Sequence, residues 1–87
     1  MKILVTTMAI KEVEVDDKFA VLGVENENYI PYPQNEPLFD ELEKFLYIKE
    51  GFKFENDYTK EEVMKEGKPF VITIANAENE EDVLFEA

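Results

Sequence analysis

Carboxylates are the abundant reactive groups of this chain, and they come in short runs. Glu78-Asn79-Glu80-Glu81-Asp82 is the densest, Asp16-Asp17 and Glu55-Asn56-Asp57 are shorter, and Asp40, Glu41 and Glu43 cluster further along. Such runs offer three kinds of chemistry: oxygen ligands for a hard cation, an acid pair for a glycosidase-type cleft, or a fixed negative surface for a cationic partner. A calcium loop of the D-x-[DN]-x-[DN]-G type ending in Glu is not matched by either Asn-containing run, and neither has a glycine for the sharp turn. These runs therefore read as solvated loops and no metal site is expected. A hydrolytic pair needs two acids a set distance apart in a cleft, and 87 residues leave little room for one.

The residues that are missing narrow the chemistry further. The sequence has no His, Cys, Ser, Arg or Trp, and its nine cationic side chains are all lysines. The common nucleophiles and the common proton shuttle are absent, and no spacing singles out a Tyr or Lys as acid or base. No catalytic residue and no cofactor are expected, so the chain reads as a non-enzyme, with a small carboxylate-dependent enzyme as a distant third hypothesis. Without arginine there is no bidentate fork for phosphate. Without cysteine there is neither a disulfide framework nor a thiolate metal site, which is compatible with the cytoplasm. No charged-then-apolar leader and no run of roughly 20 apolar residues suggest secretion or membrane insertion.

A net charge of −12 on 87 residues repels polyanions and steers the chain toward basic surfaces. Direct nucleic-acid binding is disfavoured, because it rests on Lys and Arg neutralising phosphates. In size and charge the chain resembles, as a class, small acidic inhibitors such as immunity proteins, antitoxins and phage-encoded anti-defence proteins. The expected function is therefore inhibition or sequestration of a basic, nucleic-acid-handling protein. The acids in predicted turns, Asp16, Asp17, Glu78, Glu80, Glu81 and Asp82, are the first candidates to meet it. The helix acids Asp40, Glu41 and Glu43 follow. The alternative is a structural or accessory protein that forms a homodimer or docks into an assembly through the Phe19–Val24 edge with Tyr29 and Tyr32.

The elements that would position these residues form an α+β single domain over residues 1–87. Leu38, Phe39, Leu42, Phe45, Leu46 and Lys49 recur at steps of three and four and predict a helix from Glu36 to Glu50 with one apolar stripe. Asn35 is its expected cap, Pro37 suits its first turn, and Gly51 suits a left-handed end. Lys2–Val15 reads as one long strand with Ile3, Val5, Thr7, Ala9, Val13 and Val15 on one face and Lys11 as the exception. Leu4, Met8 and Ile10 suggest that its first half is covered on both faces. Phe19–Val24 reads as the next strand, joined by a three-residue hairpin loop in preference to a two-residue one, with Gly23 marking a bulge or a close backbone approach.

In the connector, Tyr29 and Tyr32 either form a contact patch or lid the core, and a small domain's need for buried aromatics favours the lid. Phe52 and Phe54 suit a short strand or an arm that pins two rings into the core. Thr59 and Glu62 match a capping box for a short helix over Lys60–Glu66. Pro69–Ala75 reads as an interior strand with Phe70, Ile72 and Ile74 on one face. The last stretch fits a helix capped by Asn79 or a strand over Asp82–Glu86, and its shortness favours the strand. The predicted architecture is a mainly antiparallel sheet of three or four strands carrying one long and one short helix on one face, in the order β-β-α-α-β-β.

Overall fold

A computed structural model of the chain describes residues 1–54 and 70–87. Its elements are β1 (Lys2–Thr6), β2 (Ile10–Glu14), a 3-10 helix (Asp17–Leu22), α1 (Glu36–Glu50), β3 (Thr73–Asn76) and β4 (Asn79–Glu86). The four strands form one antiparallel sheet in the order β2-β1-β3-β4. The long and the short helix pack against it, so the fold is the α+β arrangement read from the sequence. The predicted Lys60–Glu66 helix and its Thr59 capping box lie outside the described residues. The short helix that is described occupies Asp17–Leu22.

The core follows from the apolar stripe of α1. Leu42 and Leu46 are fully buried against Ile3, Val5 and Ile74, and Leu38, Phe39 and Phe45 pack at the margins. Gly51 ends the helix at φ 72°, and its N–H donates to the carbonyls of Leu46 and Tyr47. Asn35 precedes the helix but does not cap it. Its backbone is already helical (φ −80°, ψ −9°), whereas a capping side chain needs an extended backbone to reach the first turn.

The long first strand is instead a hairpin. Lys2 pairs with Glu14, Val5 with Lys11 and Thr6 with Ile10. The reversal falls at Thr7-Met8-Ala9, where the Thr7 N–H donates to the Ala9 carbonyl at 2.8 Å. Lys11 lies on the helix side at the sheet margin, where its ammonium reaches the Glu50 carboxylate at the end of α1. The expectation of cover on both faces fails. Both helices lie on one side, Leu4 is only half-buried, and Met8 and Ile10 are exposed.

Phe19–Val24 is not a strand. Asp16 accepts from the Lys18 N–H and starts a 3-10 helix whose three-residue turn buries Phe19 and Leu22 together. No Val15–Phe19 pairing exists; the Val15 N–H donates to the Met1 carbonyl. Residues 52–54 form an arm: Phe54 is buried, Phe52 packs on the core, and the Lys53 carbonyl accepts from the Val71 N–H.

β3 is interior, as predicted, but covers Thr73–Asn76. The faces assigned around it change: Val71 is buried and Ile72 is 49% exposed, although the Ile72 N–H donates to the Thr6 carbonyl and the Ile72 carbonyl accepts from the Ala87 N–H. The final stretch is a strand, and the Asn79 side chain accepts from the Glu81 N–H within it.

β4 has eight residues against the four of β3. Asn76 pairs with Asn79, but Ala75 pairs with Val83 and Ile74 with Phe85. Glu80, Glu81, Asp82 and Leu84 are therefore without β3 partners, and the ladder is bulged at both places. The second bulge lets Leu84 enter the core while Phe85 packs against it. Phe85 also meets Phe39 in a stack (centroids 5.3 Å) and Phe54 edge-on (5.3 Å).

Leu42→Ala, at a site with no exposed surface, is expected to cost about 2–5 kcal/mol of unfolding free energy. Ile48→Ala, 65% exposed on the same helix, is expected to change it by no more than about 0.5 kcal/mol. Urea unfolding of both variants checks the assignment of the helix face.

Candidate acidic interface

The topology gathers acids that are distant in sequence. Glu14 stands opposite Lys2, Ile3 opposite Asn76, and the Ala77 N–H donates to the Lys2 carbonyl. The end of β2 and the β3–β4 turn therefore share one end of the sheet. Glu14, Asp16 and Asp17 reach it from one side, and Glu78 from the other. All four are exposed, as are Glu80 and Glu81 in the adjoining bulge. The Met1 ammonium lies among them, 2.6 Å from Asp17 and 3.7 Å from Glu14. That ammonium donates a hydrogen bond to Asp17 and holds its carboxyl below the ordinary value, against slight desolvation.

The helix acids are placed elsewhere. Glu41 faces the 3-10 helix and pairs with the Lys18 ammonium. Asp40 and Glu43 line an open groove with Glu36, Tyr32, Phe39 and Phe85. The structure thus divides the candidates between the sheet end and the helix.

Asp82 does not belong to either surface. Its expected place in a turn is wrong: it is 6% exposed, within β4. One carboxylate oxygen accepts from the Glu25 N–H at 2.9 Å and the other from the Asn76 side-chain amide at 3.2 Å. Gly23 makes the room. A methyl group there would lie 2.2 Å from an Asp82 oxygen, although the Gly23 backbone is ordinary extended chain. Gly23, expected to mark a bulge or a close backbone approach within a strand, instead follows the 3-10 helix and makes room for a side chain. A buried carboxylate accepting two hydrogen bonds is a structural anchor, not a surface for a partner.

The tyrosines do not lid the core. Tyr29 is 38% exposed and Tyr32 75%, because the 3-10 helix and the Phe39, Phe54 and Phe85 rings already close it. The Tyr29 N–H donates to the Asn26 carbonyl and the Ile30 N–H to that of Val21, which fixes the loop on the surface. Both rings are available for contact, although Tyr32 stands on the helix side with Asp40 and Glu43.

Sequence reasoning missed the exposed edge of β2, because it took Lys2–Val15 as one strand. The Glu12 and Glu14 alternation was the available signal. Among the described residues no group of three or more acids is placed to hold a metal ion, and no helix is long and apolar enough to cross a membrane. No protein-family model, curated protein or solved structure matches the chain.

Two measurements check this geometry. Gly23→Ala is expected to cost about 1–3 kcal/mol by overpacking, and Asp82→Ala about 1–3 kcal/mol by leaving donors unpaired. The double variant is expected to lose less than the two together, with a coupling of about 0.5–3 kcal/mol in a double-mutant cycle. Separately, the Glu41 hydrogen bond raises the Lys18 pKa above its ordinary 10.5, opposed by desolvation and aided by the charges of Glu41 and Asp16. The pair's stabilisation is then complete below pH 10.5 and declines as pH rises through the folded value. An NMR titration of Lys18 in Glu41→Gln is expected to return the ammonium toward its ordinary value.

Proposed function

We propose that this chain is a non-enzymatic acidic binding protein that inhibits or sequesters a basic, nucleic-acid-handling protein. The observation that carries the reading is the net charge of −12 together with the exposed acids that the topology collects at one end of the sheet. Asp16, Asp17, Glu78, Glu80 and Glu81 form the contact in this reading, with Glu14 beside them. Asp40 and Glu43 add to the field from the helix, Glu41 being paired with Lys18, and the exposed Tyr29 and Tyr32 rings supply apolar contact.

A dense field of one sign accelerates encounter with an oppositely charged protein and suppresses other partners. A fixed array of carboxylates can occupy the basic surface on which a nucleic acid's phosphates would otherwise lie. The second reading, a homo-oligomer or a subunit of a larger assembly, draws on the exposed apolar side chains Met8, Ile10 and Ile72.

Affinity capture with the tagged chain from its native host, at about 50 and about 300 mM salt, tests the reading across a range in which screening changes appreciably. A basic nucleic-acid-handling protein held at low salt and weakened at high salt is the expected result. Equal binding at both concentrations removes the electrostatic basis. Recovery of the chain bound only to itself favours the oligomeric reading.

A further inference from the structure

The two edges of the sheet are treated differently. On the β4 side, the ladder is bulged and the connector closes in: the Val24 N–H donates to the Val83 carbonyl, and the Glu25 N–H to the buried Asp82. On the β2 side no such cover comes from the described residues. Met1 and Val15 exchange both backbone hydrogen bonds. Hydrogen-bonded and non-hydrogen-bonded pairs alternate along an antiparallel ladder, so Val13 and Lys11 also turn their backbone groups toward β1. Ile10, Glu12 and Glu14 then direct theirs outward, and among the described residues none has a backbone partner on that side. Their side chains lie together on the sheet face opposite the helices, all exposed.

We propose that the free edge of β2 takes up an extended basic segment of the partner as a fifth, antiparallel strand, with Lys or Arg side chains set against Glu12 and Glu14 and an apolar one against Ile10. The inference rests on the acidic-partner reading and names the surface and the form of the ligand. An open edge supplies main-chain hydrogen bonds to any extended peptide, and alternate side chains then decide which peptide. The acids decide against a second copy of this chain. Antiparallel pairing of two β2 strands about Glu12 would bring like charges face to face, which destabilises a ladder. Carboxylates on an edge guard it against self-association, and the same carboxylates select a basic strand.

The test uses the full chain and an acetylated seven-residue peptide, Thr-Lys-Thr-Lys-Thr-Val-Thr, about as long as a strand, whose alternate Lys, Lys and Val share one face and meet Glu14, Glu12 and Ile10 in antiparallel alignment. Backbone amide shifts are followed by NMR at about 50 and about 300 mM salt. The proposal expects shifts centred on Ile10, Glu12 and Glu14 that weaken at high salt. It also expects Glu12→Pro to weaken binding by at least about tenfold. Proline at position 12 deletes only an outward N–H and leaves the β1 ladder whole, and circular dichroism with the thermal midpoint confirms that the variant is folded. Glu12→Gln/Glu14→Gln, which keeps the edge and removes its charge, is expected to bind more weakly and with a smaller salt dependence than the unaltered chain.

Peptide shifts centred on Glu78–Glu81 or on α1, unchanged in Glu12→Pro, overturn the edge proposal and leave the acidic-partner reading standing. Absence of peptide binding overturns the edge proposal alone, because the host capture still judges the wider reading. Concentration-dependent dimerisation that Glu12→Pro abolishes assigns the edge to a second copy and overturns it too.

Discussion

Leu42 and Leu46 sit with no exposed surface over Ile3, Val5 and Ile74, and the rest of the structure depends on that contact. A domain of this size buries a modest share of its surface, and this one must also hold together a chain with a net charge of −12 against its own repulsion. One apolar layer between one long helix and one sheet face is what its apolar side chains can fill. The 3-10 helix closes an end with Phe19 and Leu22, and the Phe39, Phe54 and Phe85 rings close a side. The opposite sheet face is left with half-buried or exposed side chains, and the carboxylates are left on the periphery.

How much of this was legible depended on whether a pattern had one physical cause. The helical stripe has only one, and α1 matched its expected limits at both ends. The β1–β2 hairpin was hidden because its reversal keeps parity. Val5 pairs with Lys11 and Ile3 with Val13, so odd-numbered residues face the core on both strands and the period-two pattern passes through the turn unbroken. Thr7-Met8-Ala9 also lacks the Gly, Pro, Asn or Asp that marks most turns. Lys11, the single charged residue in the core-facing series, was the trace of the sheet margin. In Phe19–Val24 an apolar run suggested a strand, while the Asp16 cap and the three-residue step from Phe19 to Leu22 carried the true signal.

The candidate interface was legible as a set of residues and not as a place. Composition alone singled out the carboxylates, and most of those named are exposed. Their convergence at one end of the sheet needs the pairing of Lys2 with Glu14 and Ile3 with Asn76, which several strand orders would not produce. Asp82 was misplaced because a run of acids gives no sign of which one turns inward. Gly23 marked the spot for which that side chain was destined, but 59 positions away along the chain.

The fit of Asp82 into the space above Gly23 also acts as a register pin. A strand pair with charged residues in sequence can slide by one position at small cost where nothing distinguishes one acid from the next, and Glu80, Glu81 and Asp82 are such a series. In the observed alignment the short aspartate meets Gly23, the Glu25 N–H and the Asn76 amide together. A slip by one residue would present either the longer Glu81 or the apolar Val83 to a space sized for neither, and would carry Leu84 and Phe85 out of phase with the helix. The hairpin therefore has one alignment that satisfies both its polar and its apolar ends.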